Sequence, residues 1–321
     1  VPLLIAEKAI MSRVPYALIV FIALSIPPLA SPFWDGPPPY FWTGTYTIQN
    51  YAVNPLPASH EEGDMLVATL KSRIAARYPG VRFLDYADRR DNAVRMSEWT
   101  GQWASGMNAC DLVFFAGHGD PTEIEIYDNT GTSSMMLRHA SGNPLIWGGY
   151  GQACTKWVVL RSCEVLRNTD PAAYNGLFQG IHALAGYQSD EWQFQNAKYG
   201  CKKFLWMQYD CNYVNSRDIL STFASLWIDQ AQAGWGFVQA WFRANEAVHY
   251  QEYTLGYKGP GIAPAVVTRR AFNIQKQQWF DGGSETFNDS YNGIIIAGDP
   301  NDQWEQESLR HSYVVYGSPS Y

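Results

Sequence analysis

The stretch DLVFFAGHG, residues 111–119, decides the fold: an unbroken apolar run, Leu112 to Ala116, stops abruptly at Gly-His-Gly. A short run with no polar alternation suits a strand covered on both faces, the usual situation in a parallel sheet. KWVVLRSC, residues 156–163, repeats the pattern, and GIHALAGY, residues 180–187, is a third run of the same kind. Helical spacing lies between and beyond them. Leu66, Val67, Leu70, Ile74 and Ala75 mark a helix within Asp64 to Tyr78. From Ala197 to His249 the pattern reads as helical, with Phe223, Leu226, Trp227 and Ala231 in one stretch and Phe237, Ala240, Trp241 and Ala244 in the next. Thr45–Tyr51, Val81–Tyr86, Gly293–Gly298 and Ser312–Tyr316 add strand-like pieces. Strands alternating with helices predict an α/β protein with a mostly parallel sheet flanked by helices, a three-layer sandwich.

A parallel sheet presents functional groups where its strands end, at the carboxyl edge. Gly117-His118-Gly119-Asp120 follows the first run directly, and Arg161-Ser162-Cys163-Glu164 follows the second. On neighbouring strands the imidazole and the thiol would emerge side by side. A thiol needs a nearby base to become nucleophilic at neutral pH, and histidine supplies one. The predicted catalytic pair is therefore Cys163 as nucleophile and His118 as base, with the backbone N–H groups of Gly119 and Cys163 as the oxyanion hole. Taken singly, a His-Gly at a strand end is often a turn and a Cys in an apolar run is often a small hydrophobe. Their joint occurrence at two strand ends is what points to chemistry. Asp120, Glu164 and Asp190 stand near strand ends and suit a basic substrate side chain, while Arg161 suits an acidic one. Asn143 and Asn175 are both candidates for orienting the imidazole, and nothing in the sequence selects either. His118, Asp120 and Glu123, with His139 or His182, match no standard metal spacing, so no metal and no cofactor are expected.

These motifs carry a resemblance. LVFFAGHG and WVVLRSC resemble the paired strand ends of the superfamily of cysteine peptidases that includes caspases, metacaspases, legumains, gingipains and separases. GIHALAGYQS resembles the next strand of bacterial members, and GWGFVQAWFRAN a helix they commonly carry. The likeness spans roughly residues 110 to 250 and extends to secreted microbial proteins of unassigned function. It implies a caspase-like sandwich and the same roles for His118 and Cys163. Ser162 stands where those families usually have Ala, and no motif marks a specificity pocket. Gln152-Ala153-Cys154 repeats the caspase nucleophile triplet but precedes its strand, so Cys154 reads as structural.

Composition narrows the setting. The 321 residues are 46% hydrophobic and 17% charged with a net charge of −7, enough for a large core, and no Lys/Arg cluster offers a phosphate-tracking surface. Nucleic acid is therefore not an expected partner. Residues 11–31, MSRVPYALIVFIALSIPPLAS, carry Arg13, an apolar stretch Ala17–Leu24 and small residues near Ala30, the layout of a secretory signal peptide. The residues before Met11 read as a translation start placed too early. The expected division is a signal peptide or N-terminal hydrophobic segment over 1–31, a Pro-rich lead-in over 32–42 and one α/β domain over 43–321, secreted or at the cell surface, with no stable membrane span after processing. Export favours oxidised thiols, and five cysteines leave one over. Cys110 with Cys154, each just before a strand, and Cys201 with Cys211, close in sequence, are the expected pairs, although other connectivities remain open; Cys163 is then the remaining one. The functional expectation is a cysteine endopeptidase acting on a peptide or protein through an acyl-thioenzyme. The alternative is a structural or adhesive protein on the same scaffold, binding copies of itself, with the pair unused.

Overall fold

The computed structural model describes residues 40–100, 106–121, 123–127, 132–136, 155–167, 174, 177–178, 181–190, 197–199, 201–204, 206–215, 217–254, 262–273, 278–281, 283–287 and 304–312. All of them belong to one compact unit, Phe33–Tyr321. The N-terminal segment 1–31, His139, Asn143, Cys154, Asn175 and the strand-like Gly293–Gly298 lie outside the described residues.

In chain order the elements are β1 (Tyr40–Thr47), α1 (Ser59–Arg77), β2 (Arg82–Arg90), α2 (Met96–Thr100), β3 (Leu112–Ala116), β4 (Gly119–Asp120), β5 (Glu123–Tyr127), β6 (Thr132–Met136), β7 (Trp157–Arg161) and β8 (Ala183–Tyr187). They continue as β9 (Ala197–Tyr199), β10 (Lys202–Phe204), β11 (Met207–Tyr209), β12 (Asn212–Val214), α3 (Asp218–Asp229), α4 (Phe237–Thr254), β13 (Pro264–Asn273), β14 (Gln278–Asp281) and β15 (Trp304–Ser312). The main sheet runs β2-β1-β3-β7-β8-β13-β14, and β15 also pairs with β13. The block from β2 to β8 is parallel, and β13 then joins β8 antiparallel. The protein is thus α/β with a mostly parallel sheet flanked by helices.

The unbroken apolar runs are explained by two separate cores. Leu112, Phe114, Trp157, Val159, Ala183 and Ala185 face one core with α1, α3 and α4. Val113, Phe115, Val158, Leu160 and Leu184 face the other, covered by Trp99 of α2, Ile124 and Ile126 of β5, and Val165, Leu166, Tyr174, Leu177, Phe178 and Ile181. Among the described residues, the three long helices therefore pack on one face, and short elements cover the second. The helical face is aromatic at its centre, where Trp157 meets Trp227 edge-on at 4.8 Å and Trp227 stacks on Phe223. Such contacts add about 0.5–1.5 kcal/mol each beyond their buried area. The outer strand β2, RFLDYADRR, is charged and largely exposed, which discourages edge-to-edge pairing with another chain.

Two expectations are corrected. β1 begins at Tyr40, inside the stretch read as a lead-in, because Phe41 is wholly buried in the helical core. Residues 197–214 are not helical: β9 pairs with β12 and β10 with β11 in an antiparallel arm, and helix begins only at Asp218. Of the strand-like stretch Ser312–Tyr316, only Ser312 is described, as the last residue of β15, and the rest lies outside the described residues.

Candidate functional site

β1, β3, β7 and β8 run parallel, so the segments that follow them gather at one edge of the sheet. The register pairs Ala116 with Arg161, which places His118 and Cys163 at equivalent positions, each two residues past the last matched pair. Neighbouring strands are about 4.8 Å apart. The two segments stay joined beyond the strands: the Gly117 amide donates to the Arg161 carbonyl at 3.3 Å, and the Ser162 hydroxyl donates to the Gly117 carbonyl at 2.9 Å. Both His118 and Cys163 are half-buried. The chain turns sharply after Cys163, since Glu164 takes the left-handed conformation with φ 52° and its amide donates to the Ser189 carbonyl.

The glycines flanking His118 have steric causes. A Cβ on Gly119 would lie 2.8 Å from the Ser162 Cβ and 2.9 Å from the Glu123 carbonyl oxygen. One on Gly117 would lie 2.5 Å from both the Phe115 ring and the Tyr51 hydroxyl. The Glu125 amide donates to the His118 carbonyl, so residues 118 and 125 form a hydrogen-bonding position of the β4–β5 ladder. The next pair, Gly119 with Ile124, then belongs to the alternate type whose N–H groups point away from the partner strand. That leaves the Gly119 N–H directed out of the hairpin, as an oxyanion donor requires.

The loop after β1 holds the imidazole. His118 Nε2 lies 2.6 Å from the Asn54 carbonyl oxygen, and the ring packs against Tyr51 at 4.4 Å between centroids. A carbonyl oxygen only accepts, so Nε2 carries the proton and Nδ1 is left as the basic nitrogen. The Tyr51 hydroxyl accepts from the His118 amide at 2.9 Å and donates to the Glu125 carbonyl at 2.9 Å. Asn54 is itself left-handed, with φ 55°, a conformation asparagine tolerates better than most residues. The loop is anchored by Asp91, whose carboxylate accepts from the Gln49 and Asn50 amides at 2.9 Å and from Asn50 Nδ2 at 2.8 Å. Burial works to raise the Asp91 pKa, but these donors, with His60 nearby, outweigh it and hold the carboxyl below its ordinary value. Tyr51, Asn54 and Asp91 are functional candidates that sequence reasoning misses. The one available signal was the Gln49-Asn50 pair within the strand-like stretch Thr45–Tyr51, which is common loop chemistry.

A cleft of about 350 Å³ opens beside the imidazole, lined by Tyr51, Asn54, His118, Asp120, Glu123 and Glu125 among others. Of the acidic residues expected near a substrate, Asp120 lines this cleft. Glu164 instead forms a double contact with Arg167 at 2.7 and 2.8 Å, and Asp190 is exposed after β8. Cys163 is not among the residues that line the cleft. Arg161 is turned inward: it bonds Glu62 of α1 at 3.0 Å and the Tyr187 hydroxyl at 2.8 Å, and the arginine and glutamate side chains are wholly buried. It therefore supports the site from beneath and does not face a substrate. Cys201 and Cys211 form a disulfide, as expected. Cys110 is buried beside Gly44, and its expected partner Cys154 lies outside the described residues. No group of three or more potential metal ligands occurs among the described residues.

The profile of a family described as a domain of unknown function (DUF6345) matches residues 85–293, a span that contains His118, Cys163 and the disulfide. No curated protein matches the chain.

Proposed function

Since the chain belongs to the DUF6345 family, whose function is unknown, its activity has to be read from the site, and we propose a cysteine endopeptidase that uses Cys163 and His118. The observation that carries this reading is the matched register, which brings the His118 and Cys163 segments side by side at the carboxyl edge of β3 and β7. The Asn54 contact adds to it by leaving Nδ1 as the base. In this reaction His118 Nδ1 takes the thiol proton as the Cys163 sulfur attacks the substrate carbonyl. The Gly119 and Cys163 N–H groups receive the charge that develops on oxygen. The imidazolium then protonates the departing amine, and water cleaves the thioester to release the acid and restore the thiol. Asp120, Glu123 and Glu125 around the cleft favour a basic substrate side chain. The signal-like segment 11–31 and the Cys201–Cys211 disulfide are in keeping with a secreted or cell-surface protein.

A second reading has its own support. Close packing accounts for Gly117 and Gly119 without any chemistry, and the cleft is not lined by Cys163. A structural or self-associating protein would keep the motif for those reasons. The separating experiment is labelling with an iodoacetamide probe, together with hydrolysis of a peptide library, for wild type, Cys163→Ala, His118→Ala and the double variant. A peptidase loses hydrolysis in each single variant, with no further loss in the double variant, because the two residues act as one unit. A wild-type thiol no more reactive than free cysteine, with no hydrolysis, selects the structural reading.

A further inference from the structure

The arm formed by β9–β12 lies far from His118 in sequence, and the peptidase reading makes no use of it. Its two ladders, Ala197–Tyr199 against Asn212–Val214 and Lys202–Phe204 against Met207–Tyr209, are joined through the Cys201–Cys211 disulfide, which cross-links the arm below its tip. Phe204 pairs with Met207, the last matched pair before the hairpin tip. The tip is therefore narrow and convex. It presents Trp206, 86% exposed, and Met207, 54% exposed, the former being the most exposed of the large hydrophobic residues described. Charge distribution is the second observation. The segment 197–214 contains Lys198, Lys202, Lys203 and a single acid, Asp210, and so is cationic in a chain of net charge −7. Lys202 and Lys203 are exposed and precede Trp206 and Met207; Lys202 pairs with Asp210 at 2.5 Å, so the segment's net positive charge rests on Lys198 and Lys203.

We propose that this arm docks the protein onto an anionic lipid bilayer, with Trp206 and Met207 entering the interfacial layer and Lys202 and Lys203 at the level of the lipid phosphates. An apolar tip of the two side chains Trp206 and Met207 is too small to supply the roughly 800 Å² per partner that a stable protein interface needs. Insertion into a planar apolar layer needs only a convex apolar point with cations behind it. Tryptophan is the residue most at home at that depth, and lysine is attracted to anionic headgroups while its stem covers apolar surface. The disulfide holds the tip in shape before contact, so less order has to be imposed on binding.

The test is flotation of the full-length chain with vesicles of phosphatidylcholine alone or with one-third phosphatidylglycerol, comparing wild type, Trp206→Ser, Met207→Ser and Lys203→Gln. Wild type floats with the anionic vesicles, and Trp206→Ser lowers the partition roughly tenfold or more. Lys203→Gln lowers it roughly fivefold on anionic vesicles only, and salt weakens the wild type in the same way. Unchanged thermal unfolding in the variants shows that they fold. Equal flotation of wild type and Trp206→Ser, or no flotation of wild type, overturns the proposal. So does sedimentation in which wild type is a dimer and Trp206→Ser a monomer, since the occupant would then be a second copy of the chain.

Discussion

The two edges of the parallel sheet carry similar side chains in opposite conditions. At the amino edge Asp111 and Lys156 pair at 3.1 Å with side chains only 7% and 3% exposed, and His182, 1% exposed, meets Glu285 at 2.5 Å. Asp111 also accepts from the Trp42 amide at 2.8 Å. The carboxyl edge holds a histidine too, but His118 is half-exposed beside a cleft, with one ring nitrogen on a backbone carbonyl and, among the described residues, no carboxylate fixing the other. Buried charges satisfied by one another hold strand ends together. A half-exposed imidazole on a backbone carbonyl adds little to stability by comparison. Residue type alone does not distinguish His182 from His118; the company each keeps does.

The sharpest way to break this contrast is to remove one partner of the amino-edge pair. Lys156→Met leaves the Asp111 carboxylate in a buried site without its counter-ion, and a loss of about 3–5 kcal/mol is expected, read as a lowered urea midpoint. His118→Ala should change the same midpoint by about 1 kcal/mol or less. Equal losses in the two variants would show that the carboxyl edge is as structural as the amino edge.

A smaller effect probes the contact between the two motif-bearing segments. Gly119→Ala puts a methyl group 2.8 Å from the Ser162 Cβ and 2.9 Å from the Glu123 carbonyl, so the strand end has to shift. About 1–3 kcal/mol of stability should be lost. Under the peptidase reading, alkylation of Cys163 should slow as well. Normal stability would mean that the two segments are looser than the packing implies.

The smallest expected effect concerns the loop anchor. Asp91→Ala removes the acceptor for the Gln49 and Asn50 amides and should cost about 1–2 kcal/mol. It should also broaden or shift the His118 ring signals in NMR, through Asn54. Because the folded Asp91 carboxyl is held below its ordinary value of 3.8, its contribution to stability is present above that value and is lost as pH falls through the lowered one. Wild type and Asp91→Ala should therefore differ by a constant amount at neutral pH and converge only below about pH 4. A difference that persists undiminished in strong acid would show that the charge of the Asp91 carboxylate does not carry the effect.

The central strands were legible because burial on both faces demands continuous apolar residues, and LVFFA, WVVLR and ALAGY are β3, β7 and β8. Helix α1 was legible from Leu66, Leu70 and Ile74, all of which are buried. The arm at 197–214 was not. Strands of three residues are too short to establish a period, and the strong helical pattern that starts at Asp218 invites extension backwards over them. β13, which begins at Pro264 and runs antiparallel to β8, is not among the strand-like stretches read from the sequence.

From its own order of residues the chain determined that His118 and Cys163 follow apolar strands, since hydrophobic continuity and the glycine breaks that end it are local properties. Tertiary structure alone decided that those strands are neighbours in equal register, that Arg161 turns inward to Glu62, and that Asn54 takes the imidazole Nε2. Those contacts join residues 45, 99 and 64 positions apart. No local pattern encodes such separations. They are set by which faces must be buried together once the sheet is assembled.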